Sequence, residues 1–207
     1  MTTLLMMVGA TAAAAPARGQ PVDGLVLSLE VVDARPKLGQ PVWIELALHN
    51  VSDHDITLRS YVAAGERHYD WFTASLAWPA ARVEWTSPPG QGARFKHGRK
   101  ICQGRGERPI RFIDSRDRSG TVEQTLRPGE RVVHRIDLAG WAARDANPGG
   151  MLRGGFYEVS ATYQVTDRRG RSGTLWTGTL RTPPVRFQIE GPSGKDMCDR
   201  GWTDAAR

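Results

Sequence analysis

The chain has 207 residues, with 28 Lys+Arg against 22 Asp+Glu, a net charge of +6. At 40% hydrophobic and 24% charged residues it is neither a disordered tail nor a polytopic membrane protein, and its length suits one domain. Gly 23 and Pro 13 are high for a helical protein and ordinary for one full of turns.

Residues 1–15, MTTLLMMVGATAAAA, form an apolar run ending in small residues before Pro16. This pattern predicts a secretory signal peptide, too short for a spanning helix, and hence a periplasmic or secreted protein. Residues 16–24 read as a flexible lead-in. Export would place Cys102 and Cys198, the two cysteines of the chain, in an oxidising compartment, where a disulfide between them is expected.

From residue 25 the dominant period is two. Val26–Val31 reads as a strand, and Leu38-Gly39-Gln40-Pro41 as a turn. Val42–His49 is the clearest strand, with Ile44, Leu46 and Leu48 on one face and Trp43 on the other. Asn50-Val51-Ser52-Asp53 is a polar turn, and Ile56 opens the next strand. The stretch from about 61 to 120 breaks the rhythm. It offers candidate strands at 71–78, 82–85 and 110–113 and a glycine-rich basic run between them, so it reads as a long insertion. Strands are predicted again at 121–126, 131–138, 156–166, 175–180 and 185–189, with a turn at Arg127-Pro128-Gly129-Glu130 and one short helix at 141–144. Residues 191–207 form a tail. Many short strands with Gly/Pro turns predict an all-β antiparallel sandwich over 25–190. In it Ile44, Leu46, Leu48, Tyr157, Val159, Tyr163, Phe187 and Ile189 face one core.

Three motifs suggest a family. Asn-x-Ser-Asp (50–53) follows the second strand, Leu-x-Pro-Gly-Glu (126–130) precedes a later one, and Gly-x-Tyr-x-Val (155–159) opens a strand near the end. That order resembles the immunoglobulin-like β-sandwich of the bacterial intracellular proteinase inhibitor family. It is also similar to the non-catalytic β domain of peptidyl-Lys metalloendopeptidases. The resemblance implies an immunoglobulin-like fold and an inhibitor-like binding role, and it carries over no reactive-site residue.

The charge has an address. Residues 82–118 hold ten Lys/Arg and four Asp/Glu, an excess of six that equals the charge of the whole chain. Such a cluster attracts acidic partners. Arg94, Lys96, Arg99, Lys100 and Arg105, with Trp71 and Trp85 nearby, are therefore the expected binding residues. The expected partner is an acidic protein or an anionic envelope polymer rather than nucleic acid. No serine-nucleophile, Walker, dinucleotide or zincin motif is present, so the reading is a non-enzyme with no cofactor and no metal. A structural envelope protein is the alternative, and a hydrolase using His68, Asp70 or His134 ranks below it. His49 and His54 read as turn residues and His134, in phase with Val132 and Ile136, as a buried histidine. Asn50-Val51-Ser52 is an N-glycosylation sequon by pattern, in a turn that needs Asn for conformational reasons.

Overall fold

A computed structural model describes residues 16–61, 71–78, 81–86, 97–103, 106–112, 121–144, 147, 151–166 and 175–191. For 61, 81–86, 97–103 and 121–122 the backbone alone is described. In chain order the strands are β1 (Ala17–Arg18), β2 (Leu25–Val31), β3 (Trp43–Asn50), β4 (Ile56–Tyr61), β5 (Phe72–Trp78), β6 (Ala81–Thr86) and β7 (His97–Gln103). They continue with β8 (Gly106–Arg111), β9 (Thr121–Leu126), β10 (Arg131–Asp137), β11 (Gly155–Val165), β12 (Gly178–Arg181) and β13 (Val185–Ile189). One helix, α1 (Leu138–Ala142), interrupts them. The fold is all-β, and every strand pairing is antiparallel.

Two sheets contain most of the strands. The first runs β1-β2-β3-β10. The second runs β12-β11-β5-β8, with β13 also on β11. Alternation explains why these segments are strands. Along β11, Tyr157, Val159, Ala161, Tyr163 and Val165 are buried, while the residues between them are not. β3 buries Ile44, Leu46 and Leu48 on the same period, with Ala47 on its other face also covered. All eight residues expected to face one core belong to a single buried cluster that both sheets share.

The stretch from 61 to 120 is where sequence and structure differ most. It contains β5, which pairs with β11 on one side and β8 on the other, so it supplies an interior strand of the second sheet. Phe72, Leu76, Ile110 and Phe112 from this stretch are fully buried. Small residues at Ala74 and Ala77 and the charges beside Ile110 dilute its hydropathy without breaking its period. Pro109 is tolerated because β8 has no second pairing partner among the described residues.

Three smaller corrections have local causes. Residues 16–24, expected to be flexible, are paired. β1 lies on Ser28 and Leu29, and Asp23-Gly24 close a two-residue turn between Val22 and Leu25. Both turn residues have positive φ (46° and 77°), the geometry that Asp-Gly supports in a hairpin. The helix begins at Leu138, three residues before its predicted start. Asp137 caps it, its Oδ1 accepting from Ala139 N–H at 3.1 Å and also from Val42 N–H at 3.1 Å. Finally, 175–177 lie outside β12. Trp176 turns into the core instead, where it stacks on Tyr163 (5.6 Å) and donates its Nε1–H to the Val22 carbonyl at 3.1 Å.

Leu46 is wholly buried at the centre of β3. Leu46→Ala is expected to destabilise the fold by about 2–5 kcal/mol, read as a lower midpoint in urea unfolding at unchanged slope.

Candidate functional site

The basic residues expected to bind a partner converge, in part, on a two-stranded ribbon. β6 pairs with β7 and with no other strand among the described residues. The register sets Arg99 opposite Glu84, Lys100 opposite Val83 and Trp85 opposite Gly98. Arg94, Lys96 and Arg105 lie outside the described residues, as do His68, Asp70 and the proposed signal segment. Cys198 lies outside them as well, and of Cys102 only the backbone is described, so the expected disulfide falls beyond what the structure describes.

Most of the described tryptophans belong to the core. Trp71 and Trp78 are half-buried against it, and Trp141 is buried edge-on to Phe112 at 5.9 Å. Trp43 alone of the described set stands on the outer face of the first sheet, with the Arg135 guanidinium 5.0 Å from its ring centre.

The histidines divide by environment. His54 is exposed and bonds its neighbour Asp53 (Nδ1 to Oδ1, 3.1 Å), which holds the Asp53 carboxyl below its ordinary range. His49 contacts the Gly129 carbonyl at 3.2 Å. No group of three or more His, Cys, Asp or Glu among the described residues could hold a metal ion. His134 is buried beneath Phe72, with ring centres 5.3 Å apart, as its phase with Ile136 predicts. Desolvation lowers its pKa from 6.5 to about 4, so it is neutral at physiological pH.

Asn50 has a role that its sequon does not suggest. It is 0% exposed. Its Nδ2 donates to the carbonyls of His54 (2.8 Å) and Leu126 (2.9 Å). Its Oδ1 accepts from the Ser52 N–H (2.9 Å) and the Ser52 hydroxyl (2.7 Å). The amide that a glycan would occupy is fully used inside the protein. The conformational reading of this turn was right, but it missed the long-range bond to Leu126.

One apolar groove of about 200 Å³ lies beside the helix, lined by Leu38, Val42, Leu152 and Ile189, with Met151 at its mouth. Asp137 is its one titratable lining residue, and Oδ1 of that side chain already caps the helix and holds Val42. The groove presents no nucleophile paired with a base.

No helix among the described residues is long and apolar enough to cross a membrane. No protein-family model and no curated protein matches the chain.

Two outcomes follow from the buried polar groups. Asn50→Ala leaves two carbonyls and the Ser52 N–H without their partner, and is expected to destabilise by roughly 3 kcal/mol in chemical denaturation. His134 binds a proton in the unfolded chain near pH 6.5 but in the folded one only near pH 4. Its stabilising contribution is therefore complete above about pH 6.5 and is lost as pH falls towards 4, by roughly 3 kcal/mol in all. Unfolding free energies between pH 7 and 5 should fall more steeply in the wild type than in His134→Gln.

Proposed function

We propose that the chain is an exported, non-catalytic binding module. In this reading an immunoglobulin-like sandwich supports a basic segment that engages an acidic protein or an anionic envelope polymer. The observation that carries it is the concentration of the whole net charge in residues 82–118, together with the pairing of β6 and β7 as a separate ribbon inside that segment. A ribbon outside the two main sheets can be charged without cost to the core. Its cations raise the encounter rate with polyanions.

Three features support the sandwich. The strand orders β2-β3-β10 and β8-β5-β11-β13 place sequence-distant strands side by side, as Greek-key connections require. The Asn-x-Ser-Asp and Leu-x-Pro-Gly-Glu turns touch, through Asn50 Nδ2 and the Leu126 carbonyl and through backbone bonds between Asn50 and Gly129 and Glu130. Tyr157, near the start of β11, donates its hydroxyl back to the Arg153 carbonyl at 2.8 Å and accepts from the Arg153 N–H at 3.1 Å. This is the geometry of a tyrosine corner. Inhibitor-like action is the form of binding that the family resemblance suggests.

The test is charge reversal of Arg94, Lys96, Arg99 and Lys100 to Glu in the full chain. Capture of an anionic polymer or acidic protein should weaken while the thermal midpoint holds. Because exposed charges are screened beyond roughly 8 Å at physiological salt, capture should also fall as salt rises. Capture that ignores both changes would rule the reading out.

A further inference from the structure

The outer face of the second sheet carries a row of side chains that the core does not use. The register sets Arg111 of β8 opposite Thr73 of β5, Thr73 opposite Thr162 of β11, and Thr162 opposite Arg181 of β12. The neighbours of these residues along each strand, among them Ile110, Phe72, Tyr163 and Leu180, point inward and are buried. Arg111 and Arg181 are exposed, and the two threonines between them are half-buried by their own sheet. An Arg–Thr–Thr–Arg row thus crosses four adjacent strands. At about 4.8 Å per strand, the arginine Cα atoms stand roughly 14 Å apart.

Both ends of the row are held in place. The buried amide of Asn147 clamps the Arg111 backbone. Its Oδ1 accepts from the Arg111 N–H (2.7 Å), and its Nδ2 donates to the Arg111 carbonyl (2.8 Å) and to the Trp141 carbonyl (2.9 Å). Beside Arg181, Thr182 bonds Ala161 twice. Its N–H donates to the Ala161 carbonyl at 3.0 Å, and its hydroxyl accepts from the Ala161 N–H at 2.9 Å. Neither guanidinium has an acidic partner among the described residues. The described acids of this face are engaged elsewhere, Glu158 with Arg186 at 2.7 Å and Glu107 with the Ser75 hydroxyl.

We propose that this row is a binding site for an acidic polysaccharide laid across the strands, its carboxylates on Arg111 and Arg181 and its hydroxyls on Thr73 and Thr162. The chemistry selects this occupant. Two separated guanidinium groups without acidic partners among the described residues call for a ligand with repeated anionic groups, which each can hold through a forked pair of hydrogen bonds. Between them the surface offers hydroxyls, with Gln164 and Thr179 in the next row, groups that both donate and accept. The Arg111–Thr73–Thr162–Arg181 row carries no aromatic residue, and Trp71, whose carbonyl accepts from the Gln164 N–H at 2.8 Å in the next row, is half-buried against the core. A protein interface would centre on apolar or aromatic anchors, and a single-stranded nucleic acid would need stacking rings. The site goes beyond the ribbon of the proposed function: it shares Arg111 with the basic segment and shares nothing with β6 or β7.

The test uses the full chain and fluorescently labelled oligogalacturonate, followed by anisotropy. The wild type should bind. R111Q and R181Q should each weaken binding about tenfold. T162V, which keeps shape and strand propensity, should weaken it less, and an uncharged oligogalactose should not bind. Reversal of Arg94, Lys96, Arg99 and Lys100 should leave this binding unchanged, which separates the site from the ribbon. If R111Q loses its thermal midpoint, R111K retains the charge but not the fork and should still bind more weakly. The proposal is overturned if the wild type does not bind, or if the folded arginine variants bind as the wild type does. It is equally overturned if ribbon reversal abolishes binding, or if polyglutamate or oligothymidylate binds as tightly with the same arginine dependence.

Discussion

A single buried side chain, the amide of Asn50, fixes how three parts of the chain meet at the edge of the apolar core. It ends β3, and through its four hydrogen bonds it shapes the turn to β4 and holds the end of β9. Its backbone adds bonds to Gly129 and Glu130, and the Val51 N–H donates to the Gly24 carbonyl at 2.8 Å. The turns before β2, after β3 and before β10 are thereby gathered at one end of the first sheet. Hydrophobic burial is non-directional and could not choose this arrangement. A fully satisfied amide can, because every alternative leaves buried polar groups without partners. Gly24 completes the junction: its positive φ closes the turn, and a Cβ there would lie 2.5 Å from that of Ser52.

The same device recurs at other points where the chain leaves a sheet. Asn147 ties β8 to the helix, Asp137 ties the helix to Val42, and the Tyr163 hydroxyl donates to the Arg59 carbonyl at 2.9 Å, holding β4 against β11. Thr182 does this where Pro183-Pro184 separate β12 from β13. Its hydroxyl takes the Ala161 N–H that a continuous strand would have bonded through its backbone. Each clamp is a neutral or capping group bonded to backbone, which satisfies main-chain atoms that would otherwise be buried without partners.

What was legible in the sequence was what depends on local period. β3, β11 and β13 follow directly from the alternation of Ile44, Leu46 and Leu48, of Tyr157 to Val165, and of Val185, Phe187 and Ile189. The clamps were not legible, because a buried Asn and a solvated turn Asn read alike until the partner 76 residues away is known. The role of β8 was hidden for a related reason: Pro109 and Arg111 on its outer side mask Ile110 and Phe112 on its inner side. The helix start was missed because Leu138 continues the phase of Ile136, and only the carboxylate of Asp137 ends the strand. Of the candidate site, the concentration of charge was visible as a count along the chain. The pairing of Arg99 with Glu84 and the row from Arg111 to Arg181 exist only once the register is known, since the residues of that row come from four separate strands.

The division between neutral interior and charged surface decides how salt and acid act on the molecule. Among the described residues His134 is the one basic side chain within the core, and it is held neutral. The clamps that fix the corners are amides and hydroxyls, with Asp137 the exception. Salt screens interactions between exposed charges and acts weakly on buried hydrogen bonds. Ionic strength can therefore modulate attraction at the surface over its full range while the scaffold keeps its geometry. Acid acts on the other half of the molecule, because protonation of His134 opposes folding. A protein built this way separates the interactions that salt screens, which lie on its surface, from the one that acid opposes, which lies in its core.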